Sequence, residues 1–131
     1  MASTPQFVGA PQTWMNQVTV ANTARDGSGT LVTVATGAAA PGTRIDKIRI
    51  MGVGTVTAGM IRFFLTPDNG TTKRLIKERP VSAVTPSATA AGFEDEWTMQ
   101  DGLYLPANTW SLLAATNNAE TFNIFAIGGN L

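Results

Sequence analysis

Short runs of β-branched and aromatic residues, each cut off within about ten positions by glycine, proline, asparagine or aspartate, limit what this chain can fold into. Residues 30–36 read Thr-Leu-Val-Thr-Val-Ala-Thr and stop at a small-residue turn, 37–42, that contains Pro41. Residues 43–53 carry Ile45, Ile48, Ile50 and Val53. Residues 59–66 read Gly-Met-Ile-Arg-Phe-Phe-Leu-Thr and meet Pro67-Asp68-Asn69-Gly70. An Asn-Gly pair accepts the positive φ of a tight hairpin, so 72–79 is expected to return against 59–66. Further strands are expected at 14–21, 93–99, 110–115 and 121–127, with an edge segment at 81–85 between Pro80 and Pro86. Asp101-Gly102 reads as a turn into residues 103–106. The best helical competitor, 83–91, contains Pro86 and the β-branched Val84, Thr85 and Thr89, which oppose a helix.

About eight strands with such turns predict an all-β fold, an antiparallel β-sandwich that is jelly-roll-like. The length of 131 residues suits one domain, and neither repeat nor linker interrupts it. Pro5, Gly9 and Pro11 surround Phe7 and Val8, so residues 1–12 are read as an extended N-terminal arm and 13–131 as the domain. Phe7 and Val8 are the arm's candidate contacts with a neighbouring subunit.

Several strands are apolar on both faces. Ile61, Phe63 and Leu65 share one face while Phe64 points the other way; Phe122 and Ile124 share a face while Phe125 and Ile127 oppose them. A sheet wetted on one side alternates apolar and polar residues. Three readings stay open: loops or the arm cover the second face, a bulge shifts the register, or Phe64, Phe125 and Ile127 contact another subunit.

Only 14% of residues are charged, against about 25% in ordinary domains, which suggests surface covered by protein neighbours. The formal net charge is zero, yet residues 44–79 hold eight basic side chains against three acidic ones, and the remainder holds one against six. Opposed halves either pair between copies, with Arg74 of the basic segment a candidate contact, or cancel within one chain. Nucleic acid is not an expected partner, since the basic residues lack interleaved aromatics.

Chemistry finds little to work with. There is no histidine and no cysteine, so the commonest general base, thiolate catalysis and zinc–sulfur sites are missing. Gly54 and Gly59 have phosphate-loop spacing, but Met60 and Ile61 follow where Lys and Ser/Thr are needed. Asp26-Gly27-Ser28-Gly29 has one carboxylate where a calcium loop needs several. Ser82 and Ser111 have no histidine to activate them. Glu94 and Glu96 would share a strand face, the arrangement a glycosidase could use, but a solvated acidic edge is the commoner meaning. No catalytic residue, metal or cofactor is expected, and the chain is read as a non-enzyme. The opening Met1-Ala2-Ser3-Thr4-Pro5 does not read as a signal peptide, and no apolar run approaches ~18 residues, so no membrane span is expected.

Ala21-Asn22-Thr23-Ala24-Arg25-Asp26-Gly27-Ser28-Gly29-Thr30, Gly42-Thr43-Arg44-Ile45-Asp46-Lys47-Ile48-Arg49-Ile50, Thr57-Ala58-Gly59-Met60-Ile61-Arg62-Phe63-Phe64-Leu65 and Asn118-Ala119-Glu120-Thr121-Phe122-Asn123 resemble a group of small bacteriophage and prophage virion proteins. The likeness covers about residues 14–131. It implies a virion structural role, assembled in the host cytoplasm, most simply a capsid decoration or cement protein bridging neighbouring capsid subunits. Its partners would be the major capsid protein and copies of itself, as a homotrimer. The alternative is a tail or fibre component binding host glycan, with Trp97, Trp110 or Tyr104 as stacking platforms and Glu94 and Glu96 accepting sugar hydroxyls.

Overall fold

The computed structural model describes residues 9–131, and among them lie eight strands and no helix. Phe7 and Val8 fall outside the described residues. The strands are β1 (Ala10–Val18), β2 (Val32–Thr36), β3 (Thr43–Gly52), β4 (Gly59–Thr66), β5 (Arg74–Val81), β6 (Glu94–Leu105), β7 (Ser111–Thr116) and β8 (Phe122–Asn130). They form two antiparallel four-stranded sheets, sheet A in the order β1-β8-β3-β6 and sheet B in the order β2-β7-β4-β5. The first strand pairs with the last, the second with the seventh, the third with the sixth and the fourth with the fifth. That is a ribbon of four strand pairs rolled into two sheets, the jelly-roll arrangement expected from the sequence.

Between the sheets lie Ile45, Ile48, Ile50, Ile61, Phe63, Leu105, Leu112, Phe122 and Ile124, each essentially without solvent contact. Burial of each is worth about 1.5–3 kcal/mol, so this layer supplies most of what holds the sheets together. Strict alternation cannot turn both Ile45 and Ile48 inward. The pairing of β3 with both neighbours shifts between Ile45 and Lys47, and this bulge brings both isoleucines into the core. Gly128 sits opposite the bulge, where a Cβ would run into the Arg44 carbonyl oxygen.

Several expected boundaries move, and the expected edge segment at 81–85 reduces to Val81 at the end of β5 and an isolated bridge between Val84 and Val56. The arm was expected to reach residue 12, but Ala10, Pro11 and Gln12 pair with Asn130, Gly129 and Gly128, and the Gly9 amide donates to the Asn130 carbonyl at 2.8 Å. Proline is tolerated there because β1 is an edge strand. Asp101-Gly102 does not separate two strands; Gly102, at φ 77°, lies inside a bulged stretch of the single strand β6. Finally, β5 begins at Arg74 and not at Thr72, so the connection from β4 spans residues 67–73. Asn69 and Gly70 do take positive φ, 58° and 92°. The loop is longer because the Asp68 carboxylate accepts from the Thr72 amide (2.7 Å) and the Thr66 hydroxyl (3.1 Å), while that hydroxyl accepts from the Gly70 amide (2.8 Å).

Candidate interaction surface

The outer faces of the two sheets differ, and the difference sorts the residues singled out in the sequence. On sheet B the outer face is closed from within. The segment 21–31 runs back across it, with the Asn22 amide donating to the Thr116 carbonyl at 2.8 Å. The Asn22 side chain shapes the segment by donating to the carbonyls of Ser28 and Thr30, 2.9 Å each. Leu31 and Leu75 then pack over Phe64, Leu113 and Ala115. Phe64 is 0% exposed, so it is not a subunit contact: a loop of its own chain covers it. Arg62, on the same face, is also buried and donates to Glu78 (3.1 Å) and Asn117 (3.1 Å), and Arg25 of the covering segment reaches Glu78 at 2.7 Å.

Among the described residues no such cover lies over sheet A. Register places side chains on its outer face in rows that cross all four strands. Met15 on β1 is opposite Phe125 on β8, which is opposite Arg49 on β3, which is opposite Glu96 on β6. The next row is Thr13, Ile127, Lys47 and Thr98, and on the other side lie Gln17, Asn123, Met51 and Glu94. The β1–β8 half of the face is thus centred on Met15, Phe125 and Ile127, and the β3–β6 half on charges. Met15 is 74% exposed, the highest value among the exposed large apolar residues. A shallow groove of about 360 Å³ runs between the halves, lined by Thr13, Arg49, Met51, Glu94, Phe125 and Ile127.

The charges on this face neutralise one another. Arg49 lies 3.8 Å from both Glu94 and Glu96, and Lys47 lies 4.0 Å from Glu96. Exposed pairs of this length contribute at most about 1 kcal/mol each. Asp95 turns to the opposite face and meets Arg79 of β5 at 2.7 Å, tying the two sheets together along one side. The basic and acidic stretches of the sequence therefore interleave in space and cancel within the chain. Arg74, at the start of β5, is exposed in sheet B and does not join Phe125 and Ile127.

The aromatic side chains considered for sugar stacking are mostly committed elsewhere. Trp97 lies 5.3 Å from Phe63 between ring centroids, with the Lys77 ammonium 5.8 Å from its ring, and Trp110 packs against the core. Tyr104 is 49% exposed, with the Arg44 guanidinium 5.8 Å from its ring. Glu94 and Glu96 do share a face, as expected from alternation, and both pair with Arg49. Among the described residues no group of three carboxylates is placed to hold a metal ion.

Phe125 and Ile127 lie on this face as alternation predicts, and Met15, not singled out in the sequence, lies beside Phe125. The signal was present: Met15 alternates with Trp14 and Asn16, and residues 10–18 contain no charge at all. No model of a known protein family matches the chain, and none of the curated proteins compared with it is similar in sequence.

Proposed function

We propose that this chain is a bacteriophage virion structural protein that decorates or cements the head, laying the outer face of sheet A against the major capsid protein. The observation that carries the reading is the apolar half of that face, Met15, Phe125 and Ile127, uncovered among the described residues and beside a groove rimmed by paired charges. A sheet face meant for water would be polar at these positions. Interfaces typically surround an apolar centre with a polar rim, and here Arg49, Glu94 and Glu96 supply the rim. The resemblance of residues 14–131 to small virion proteins supplies the identity of the partner. Absence of histidine and cysteine, with the carboxylates tied up in ion pairs, favours binding over catalysis. The tail or fibre reading has weaker support, because Trp97 and Trp110 are turned into the core and leave Tyr104 as the sole exposed member of the three.

The test is a reconstruction of the virion that carries this protein, combined with binding of purified protein to heads stripped of it. The sandwich is expected on the head exterior with sheet A facing the capsid. Met15→Asp and Phe125→Asp are each expected to weaken binding about tenfold or more while leaving the fold intact, since both side chains have access to solvent. Density at the tail, or full binding by both variants, would sink the proposal.

A further inference from the structure

Each four-stranded sheet has two open sides, and an unpaired edge invites another strand unless something blocks it. Three of the four edges here are blocked. β2 is five residues long and its register breaks between Thr33 and Ala35. β5 carries Arg74, Lys77, Glu78, Arg79 and Pro80, with a register shift opposite Phe63 and Phe64. β6 carries Glu94, Asp95, Glu96 and Asp101 and is broken by its bulge.

β1 differs in every respect. It is nine residues long, Ala-Pro-Gln-Thr-Trp-Met-Asn-Gln-Val, without a charge, and pairs with β8 through nine successive positions with no shift. All but Trp14 and Val18 of these residues are exposed. Pro11 guards one end, and towards the other the Gln17 backbone amide donates to the Asn16 side-chain oxygen at 2.8 Å. Asn16 reaches across the gap between the sheets to the Thr33 carbonyl at 2.7 Å, which closes that side of the core, while among the described residues no strand pairs with β1 on its outer edge in the plane of sheet A.

We infer that β1 pairs antiparallel with β1 of a second copy about a two-fold axis, joining two A sheets into one of eight strands. The occupant is a second copy because an uncharged strand is complementary to itself when rotated by 180°, and a chain of zero net charge does not repel its own kind. Nine residues at about 3.3 Å each give an edge of about 30 Å. With side chains it covers about 300 Å² per copy, against about 800 Å² in a standard stable interface. The contact is therefore reversible in solution and gains strength where a capsid lattice holds copies side by side. It makes a dimer, not the trimer expected from the resemblance. The inference rests on the reading that copies of this chain associate, but it uses a different surface from the one assigned to the capsid.

Light scattering and sedimentation over a concentration series should give a mass rising from 13.8 kDa towards twice that value. Substituting Gln12→Lys and Gln17→Lys together puts charge on the edge without touching Met15 or Phe125, and should raise the dimer dissociation constant about tenfold or more. Thermal unfolding of this variant checks that it folds. Because the chain lacks cysteine, single cysteines at Gln12, Thr13 and Met15 should yield a disulfide-linked dimer at the position nearest the axis, whereas Ile76→Cys on β5 should not. A monomer at high concentration, a trimer, or a dimer indifferent to the lysines and uncrosslinked through β1 would overturn the inference. Loss of capsid binding in Phe125→Asp, which lies on β8 and off this edge, with the dimer retained would leave the inference standing, whereas a parent protein that stays monomeric yet binds stripped heads would remove it while sparing the proposed function.

Discussion

Arg79 shows how single side chains join the two sheets. Its guanidinium donates to both oxygens of Asp95, at 2.7 and 2.8 Å, and to the Glu96 carbonyl at 3.1 Å. The hydrogen bonds from Arg79 hold the Asp95 carboxyl below its ordinary value, and those to Asp95 raise the guanidinium. Asp68, held by the Thr72 amide and hydroxyl, and Asp26, held by Ser28, shift the same way. A carboxylate depressed in the folded state binds fewer protons there than in the unfolded chain. Its contribution is complete above the unfolded value, about 3.9, and fades as pH falls through the lower folded one. Replacing Asp95 by Asn should cost about 1.5–3 kcal/mol at pH 7, and the gap from the parent should shrink below pH 3, as measured by urea unfolding at both pH values. Alternation within the sequence sufficed to separate Asp95 from Glu94 and Glu96. It could not name Arg79 as the partner, because that pairing depends on how β5 comes to lie beside β6 across the sandwich.

Among the elements, the segment 21–31 has the largest effect for its size. It turns a face that would otherwise expose Phe64 and Leu113 into a second small core. Leu31→Ala should cost about 2 kcal/mol, because Leu31 is only partly buried, and should speed amide hydrogen exchange in residues 22–31 more than in β8. Equal acceleration throughout would count against a local role for the segment. The sequence marked this stretch as a loop through Asp26-Gly27, and Gly27 does take positive φ, 91°. Where the loop goes could not be read there, since Leu31 meets Phe64 only through the fold. The same limit explains β3: the spacing of Ile45, Ile48 and Ile50 fits neither strict alternation nor a helix, and only pairing with β6 and β8 places the bulge that reconciles it.

For the whole molecule, strand number and fold class were legible because turn residues punctuate the chain at strand-length intervals. Strand order was not, since identical punctuation serves several sandwich topologies. The two apolar strand faces near Phe64 and Phe125 looked equivalent in sequence, yet one is covered by the chain itself and the other is uncovered among the described residues. That asymmetry gives the molecule one side to offer, the outer face and free edge of sheet A.

The pairing of first strand with last also has a consequence for how the protein is made. β8 lies between β1 and β3, so sheet A has no continuous middle until residues 122–130 are in place. A chain emerging from the ribosome holds β1 for over a hundred residues before its partner exists. Folding should therefore wait for β8 and be slow, in the millisecond-to-second range of domains built from distant pairings. A chain ending at Thr121 should show no cooperative unfolding transition by circular dichroism, whereas the full chain refolds from urea on that timescale. Until the last strand arrives, β1 carries an unpaired edge on both sides. The cell thus handles, for the length of one synthesis, a chain whose stickiest strand is already out.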